Sequence, residues 1–111
     1  MKEPIIIYEN GALDIFDTRK RAELYLEPID VENEEYIYYD SEGKILQAFV
    51  VKDSNGIDKI VITDGKTERY EEFELKRILI DFLNYLSYSK TELKQLSLNQ
   101  LVKESLKFKT E

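Results

Sequence analysis

Histidine, cysteine and tryptophan are all absent from the 111 residues of this chain. Without histidine, no side chain has an unperturbed pKa that places proton exchange near neutral pH, and no imidazole can bind a metal. Without cysteine there are no thiolate nucleophiles, no disulfides and none of the usual zinc sites. Long apolar runs are missing too. The longest, Pro4 to Tyr8, is strand-sized and far short of the ~20 residues that cross a bilayer. Residues 1–10 carry no basic n-region, apolar h-region or small-residue cleavage site of a signal peptide. A cysteine-free chain is compatible with either redox state, and the cytoplasm is the expected location.

Glycine is scarce and never clustered. A phosphate-binding loop needs several glycines together so that backbone amides can approach the anion, and here each of the four stands alone. The Gly-x-Ser-x-Gly elbow of hydrolases is absent, and a serine nucleophile would have no histidine to activate it. An EF-hand loop places its glycine sixth, after ligands at positions 1, 3 and 5. Counting back from Gly56 gives Asn55, Asp53 and Val51, and from Gly43 gives Glu42, Asp40 and Tyr38, so position 1 fails both times. Asp14 and Asp17, near a strand end, are the carboxylates that a glycosidase-like hydrolase would use. With 23 acidic residues in the chain such pairs arise by chance. No catalytic residue, metal or cofactor is expected.

What the chain does have is negative charge, unevenly placed. Residues 1–42 contain twelve acidic and four basic side chains, whereas residues 43–111 contain eleven and twelve. The field over the first part repels nucleic acid and anionic lipid, and attracts basic surfaces. A solvated, solubilising surface is the plainer alternative.

The glycines fall at turns: Asn10-Gly11, Glu42-Gly43, Asn55-Gly56 and Asp64-Gly65. Between them, runs rich in β-branched and aromatic residues predict strands over Ile5–Tyr8, Ala12–Phe16, Glu35–Asp40, Ile45–Lys52 and Ile57–Thr63. The first two read as a hairpin and the last three as a meander. A short helix capped by Asp17 or Thr18 carries the stripe Ala22, Tyr25, Leu26 and ends at Pro28. Ile29–Glu34 then reads as an acidic connector. Over residues 70–88, Leu75, Ile78, Leu79, Phe82, Leu83 and Leu86 keep helical spacing, and Glu68, Glu71, Glu72 and Glu74 crowd its start. Capping boxes at Ser89–Glu92 and Ser97–Gln100 predict two short helices or one bent helix over Lys90–Lys107. The order β-β-α-β-β-β-α-α predicts one α+β domain over 1–111, an antiparallel sheet of about five strands packed against the long helix.

The acidic connector is the strongest functional constellation. Glu27, Asp30, Glu32, Glu34 and Glu35 are preceded by Tyr25 and followed by Tyr36 and Tyr38. Aromatic area gives burial at low entropic cost, and carboxylates pair with Arg or Lys, so these eight residues are the candidate protein interface. Strand alternation puts Tyr36 and Tyr38 on one face, Ile37 and Tyr39 on the other. Core packing of some tyrosines, hydroxyls outward, is the alternative.

Two stretches resemble known families. Ser97 to Leu106 is similar to the second helix of ribbon-helix-helix repressors. That family sets a basic or polar reading strand before its helices, whereas here a core helix precedes the match and the chain is acidic. The runs Ala12–Asp17, Ala22–Val31 and Tyr39–Lys44 together resemble small bacterial immunity-type proteins, in a hairpin, a short helix ending in Leu-Glu-Pro, and an Asp-x-x-Gly turn between strands. The resemblance implies a non-enzymatic inhibitor that neutralises a toxin by direct binding, and transfers no binding residue. The leading expectation is therefore an acidic binding protein for a basic protein partner. A structural or regulatory module acting as a homodimer through a spare apolar sheet face is the second reading, and a carboxylate-based hydrolase the third.

Overall fold

The computed structural model describes every residue from Met1 to Glu111. Asn10 and Gly11 take φ of 43° and 87°, the left-handed geometry of a tight reversal, and join β1 (Ile5–Glu9) to β2 (Ala12–Phe16). The chain then leaves the sheet through α1 (Arg19–Tyr25) and α2 (Pro28–Glu32). It returns as β3 (Ile37–Tyr39) on the other side of β1, so β1 lies between β2 and β3. β4 (Ile45–Lys52) and β5 (Asp58–Asp64) complete the meander, and the order is β2-β1-β3-β4-β5 with every pair antiparallel. Three helices follow: α3 (Glu72–Tyr85), α4 (Lys90–Leu93) and α5 (Leu98–Leu106). The fold is α+β, a five-stranded open antiparallel sheet with five helices.

Local chemistry accounts for the helix ends. The Thr18 side chain accepts from the Arg21 N–H at 3.2 Å and starts α1. Ser97 accepts from the Gln100 N–H at 3.2 Å while its own N–H donates to the Gln100 side chain at 2.8 Å, a complete capping box. The tail is thus two helices. Pro28 does more than end a helix. It occupies the first turn of α2, where its missing N–H costs nothing and its fixed φ suits the helix, and the segment expected as a connector is helical up to Glu32.

The sheet is buried on both faces around β1. Ile6, Ile15 and Tyr39 pack under α3, α4 and α5 with Leu75, Leu79, Leu83 and Leu101. On the opposite face Ile5, Ile7, Phe16 and Leu46 pack under α1 and α2 with Ala22, Leu26 and Val31. Around β1 both faces are covered, because Ile5, Ile6 and Ile7 are consecutive apolar residues and need cover on both sides. Farther along the sheet, Ile37, Phe49 and Val51 form an apolar strip on the α3 side that stays exposed. In the α3 stripe Leu75, Ile78, Leu79 and Leu83 are buried, while Phe82 and Leu86 are only partly so.

Asp40 ties the β3–β4 reversal together. Its carboxylate, 1% exposed, accepts from the N–H groups of Lys2, Glu42 and Lys44 at 3.1, 2.8 and 3.0 Å. In the same turn Gly43 has φ +85°, and a Cβ there would lie 2.9 Å from the Glu72 Cα, so the start of α3 can sit against the turn only because the side chain is absent.

Each outer edge of the sheet is engaged at one residue. Thr110 brackets Ile15 of β2, accepting its N–H at 3.1 Å and donating to its carbonyl at 2.7 Å. On β5 the Ile62 N–H donates to the Glu23 carboxylate of α1 at 2.8 Å. The fully buried Leu79 is the test of this packing. Leu79→Ala should cost about 2–5 kcal/mol in urea unfolding, the range for large-to-small core changes, and a cost under about 1 kcal/mol would contradict the core described.

Candidate protein interface

α2 and the residues after it carry most of the acids singled out from the sequence, and the fold divides them between two surfaces. Tyr36 stands beside Glu9 and Asp30, its hydroxyl donating toward the Asp30 carboxylate at 3.5 Å. Burial first, then the charges of Asp30, Glu9 and Glu35, push the Tyr36 hydroxyl up to about 12. Every charged residue that acts on it is acidic. Glu35 is raised above its ordinary 4.5, first by a hydrogen bond with Asp30, then by burial and the charges of Asp30 and Glu9. Tyr25 lies 5.0 Å from Phe16, ring centre to ring centre, and is raised first by the charge of Asp14 and then by burial.

Glu32 and Glu34 face elsewhere. They line a cleft between α2 and β4, about 350 Å³ beside Tyr36 and Phe49 and about 560 Å³ beside Val50 and Lys52. The lone cation of its lining, Lys52, is held by Asp58 at 2.7 Å. Glu34 itself takes φ +54°, a left-handed conformation that costs a non-glycine residue roughly 1–2 kcal/mol, as the chain turns out of α2. Glu27 caps α2 by backbone position and is exposed.

Tyr38 is placed differently from the other seven. It is 8% exposed and packs in the core beneath α2, and its buried hydroxyl has no hydrogen-bond partner. Burial, with Asp30 adding to it, pushes that hydroxyl up to about 12. Asp14 and Asp17, the carboxylate pair considered from the sequence, both engage the C-terminal tail. Asp14 accepts from the Thr110 hydroxyl at 3.0 Å, and Asp17 pairs with Lys109 at 3.4 Å and with Arg21 at 3.5 Å. No group of three or more carboxylates is arranged to hold a metal ion, and no helix is long and apolar enough to cross a membrane.

The acids on and around α2 form the longest stretch of the chain in which no acid has a counter-ion. Glu23, Asp64, Asp58, Glu74 and Glu104 each lie within 4.0 Å of a lysine or arginine nitrogen. Glu9, Glu27, Asp30, Glu32, Glu34 and Glu35 have none at that distance. The sequence carries the signal for this, since no lysine or arginine occurs between Arg21 and Lys44. Glu9 joins the surface only through the β1–β3 pairing, which nothing in its sequence neighbourhood announces. Comparison of the chain with protein-family models, curated proteins and solved structures finds no match.

Two outcomes follow from these environments. A carboxyl with a raised folded-state pKa binds its proton more readily folded than unfolded, so its contribution to stability improves as pH falls through that raised value. Glu35→Gln should therefore be more stable than the parent at neutral pH, with the difference in Tm shrinking as pH falls toward 4.5, and a difference independent of pH would refute the repulsion described. For Tyr38, removing an unpartnered buried hydroxyl should cost nothing. Tyr38→Phe should be neutral or more stable by up to about 1 kcal/mol in urea unfolding, whereas a comparable loss would mean that the hydroxyl is paired.

Proposed function

We propose that this chain is a non-enzymatic binding protein for a basic protein surface, and that it acts as an immunity-type inhibitor inside the cell. One observation carries the reading: six acids without counter-ions on the two surfaces around α2, one surface lying beside the exposed ring of Tyr25 and the partly buried ring of Tyr36. Unpaired carboxylates repel one another, as the raised Glu35 records, and this repulsion works against the folded state. A partner that brings lysines or arginines relieves it on binding, so the stability lost in the free protein returns as affinity. The mechanism is occlusion. Partner cations that otherwise hold an anionic substrate are engaged by Asp30, Glu32, Glu34 and Glu35, while Tyr25 and Tyr36 supply the desolvated contact.

Complementary fields act mainly on the rate of encounter. The quadruple variant Asp30→Asn, Glu32→Gln, Glu34→Gln, Glu35→Gln should fold normally. Its association with the basic protein captured from the native host should be slower by roughly tenfold or more at low salt, with the gap closing at high salt. Stopped-flow association at two ionic strengths makes the measurement. Equal rates for variant and parent at low salt would reduce the acidic surface to a solvated one.

A further inference from the structure

β4 has an open edge inside the sheet. β3 pairs with it only at Ile45 and Leu46, whereas β5 pairs with it from Leu46 to Lys52. Ile45 donates its N–H to Arg69 and Asp53 donates to Ile57, both on the β5 side, and the register between them is regular. By strand alternation the amides of Ala48 and Val50 point the other way, toward the cleft beneath α2. No strand meets them there. The chain before β3 swings away through Glu34, and Ala48 makes no hydrogen bond to Tyr36, the residue next in line. On the two outer edges, by contrast, Thr110 engages Ile15 and Glu23 engages Ile62.

We infer that β4 takes up an extended segment of the basic partner as an added strand, with lysine or arginine at alternate positions directed to Glu32 and Glu34 and apolar residues between them on Ile37, Phe49 and Val51. This rests on the basic-partner reading above and names where and how that partner is held. An added strand alternates its side chains between two faces, and the two faces of this edge differ in the matching way. On the α2 side are the unpaired carboxylates of Glu32 and Glu34. On the other side Ile37, Phe49 and Val51 are 46%, 48% and 37% exposed, beyond the reach of α3. Free amides supply affinity that is indifferent to sequence, and the two faces supply the choice of sequence. A second copy of this chain suits the edge poorly, because twofold pairing through β4 would bring both sets of Glu32 and Glu34 together.

The test uses the intact protein and three blocked synthetic peptides: valine alternating with lysine, the same peptide N-methylated at alternate residues, and valine alternating with glutamate. The lysine peptide should bind and slow amide exchange at Ala48 and Val50 by about tenfold or more, N-methylation should weaken binding at least about tenfold, and the glutamate peptide should not bind. Glu32→Gln with Glu34→Gln should weaken the lysine peptide and leave the fold unchanged. Equal binding of the N-methylated peptide would overturn the added strand. So would protection of Ala48 and Val50 without peptide in a sample that sediments as a dimer. Salt-dependent binding that perturbs Glu9, Asp30 and Glu35 but not Ala48 or Val50 would overturn the edge while leaving the basic-partner reading standing. If none of the peptides binds, the edge is again overturned, and the association experiment with the captured protein then decides the wider reading separately.

Discussion

The architecture depends on β1 being apolar on both of its faces. Ile5, Ile6 and Ile7 are consecutive, so one packs on one side of the sheet and two on the other, and none is more than 1% exposed. A central strand of this kind cannot be satisfied by a single layer of helices. α3, α4 and α5 cover Ile6. α1 and α2 cover Ile5 and Ile7, which obliges the chain to cross over β1 between β2 and β3. The acidic residues of α2 are therefore carried on a helix whose position is set by the hydrophobic requirement beneath it, through Val31 and Leu26.

That division of labour explains how one short helix can be both structural and a recognition surface. Its inner side contributes Val31 to the core, and its outer side holds acids to which no neighbouring lysine or arginine is paired. Elsewhere on the molecule, Glu74 of α3 pairs with Arg77 and Glu104 of α5 with Lys107, each within a turn. α2 contains no lysine or arginine and has no such pair. Local strain falls in the same place, at Glu34, where the chain turns away from β4 and leaves its edge open.

Much of the fold was legible one element at a time. Asn10-Gly11 required a reversal, the Leu75 to Leu83 spacing required a buried helix face, and Ser97 with Gln100 required a helix start. What misled was Pro28. A proline both closes the helix before it and opens the next, and only the second role makes α2. Among the site residues, the acids without partners could be read from the absence of lysine and arginine between Arg21 and Lys44. Tyr36 and Tyr38 could be assigned to one face by alternation, but not to different depths on it. Tyr38 lies beneath α2 in the middle of the sheet, while Tyr36 sits at its margin beside Glu9.

By itself the sequence determined which chemistry this protein lacks, where its turns and helix starts lie, and that its first part carries an uncompensated negative charge. These follow from residue type and short-range spacing, which need no knowledge of distant neighbours. Only the tertiary structure decided that both faces of β1 are covered, that Glu9 joins Asp30 and Glu35, and that β4 outruns β3 and leaves Ala48 and Val50 without a strand partner on that side. Each of those depends on which strands pair and how far. That is settled by the combined packing of two cores, to which residues far apart along the chain contribute together.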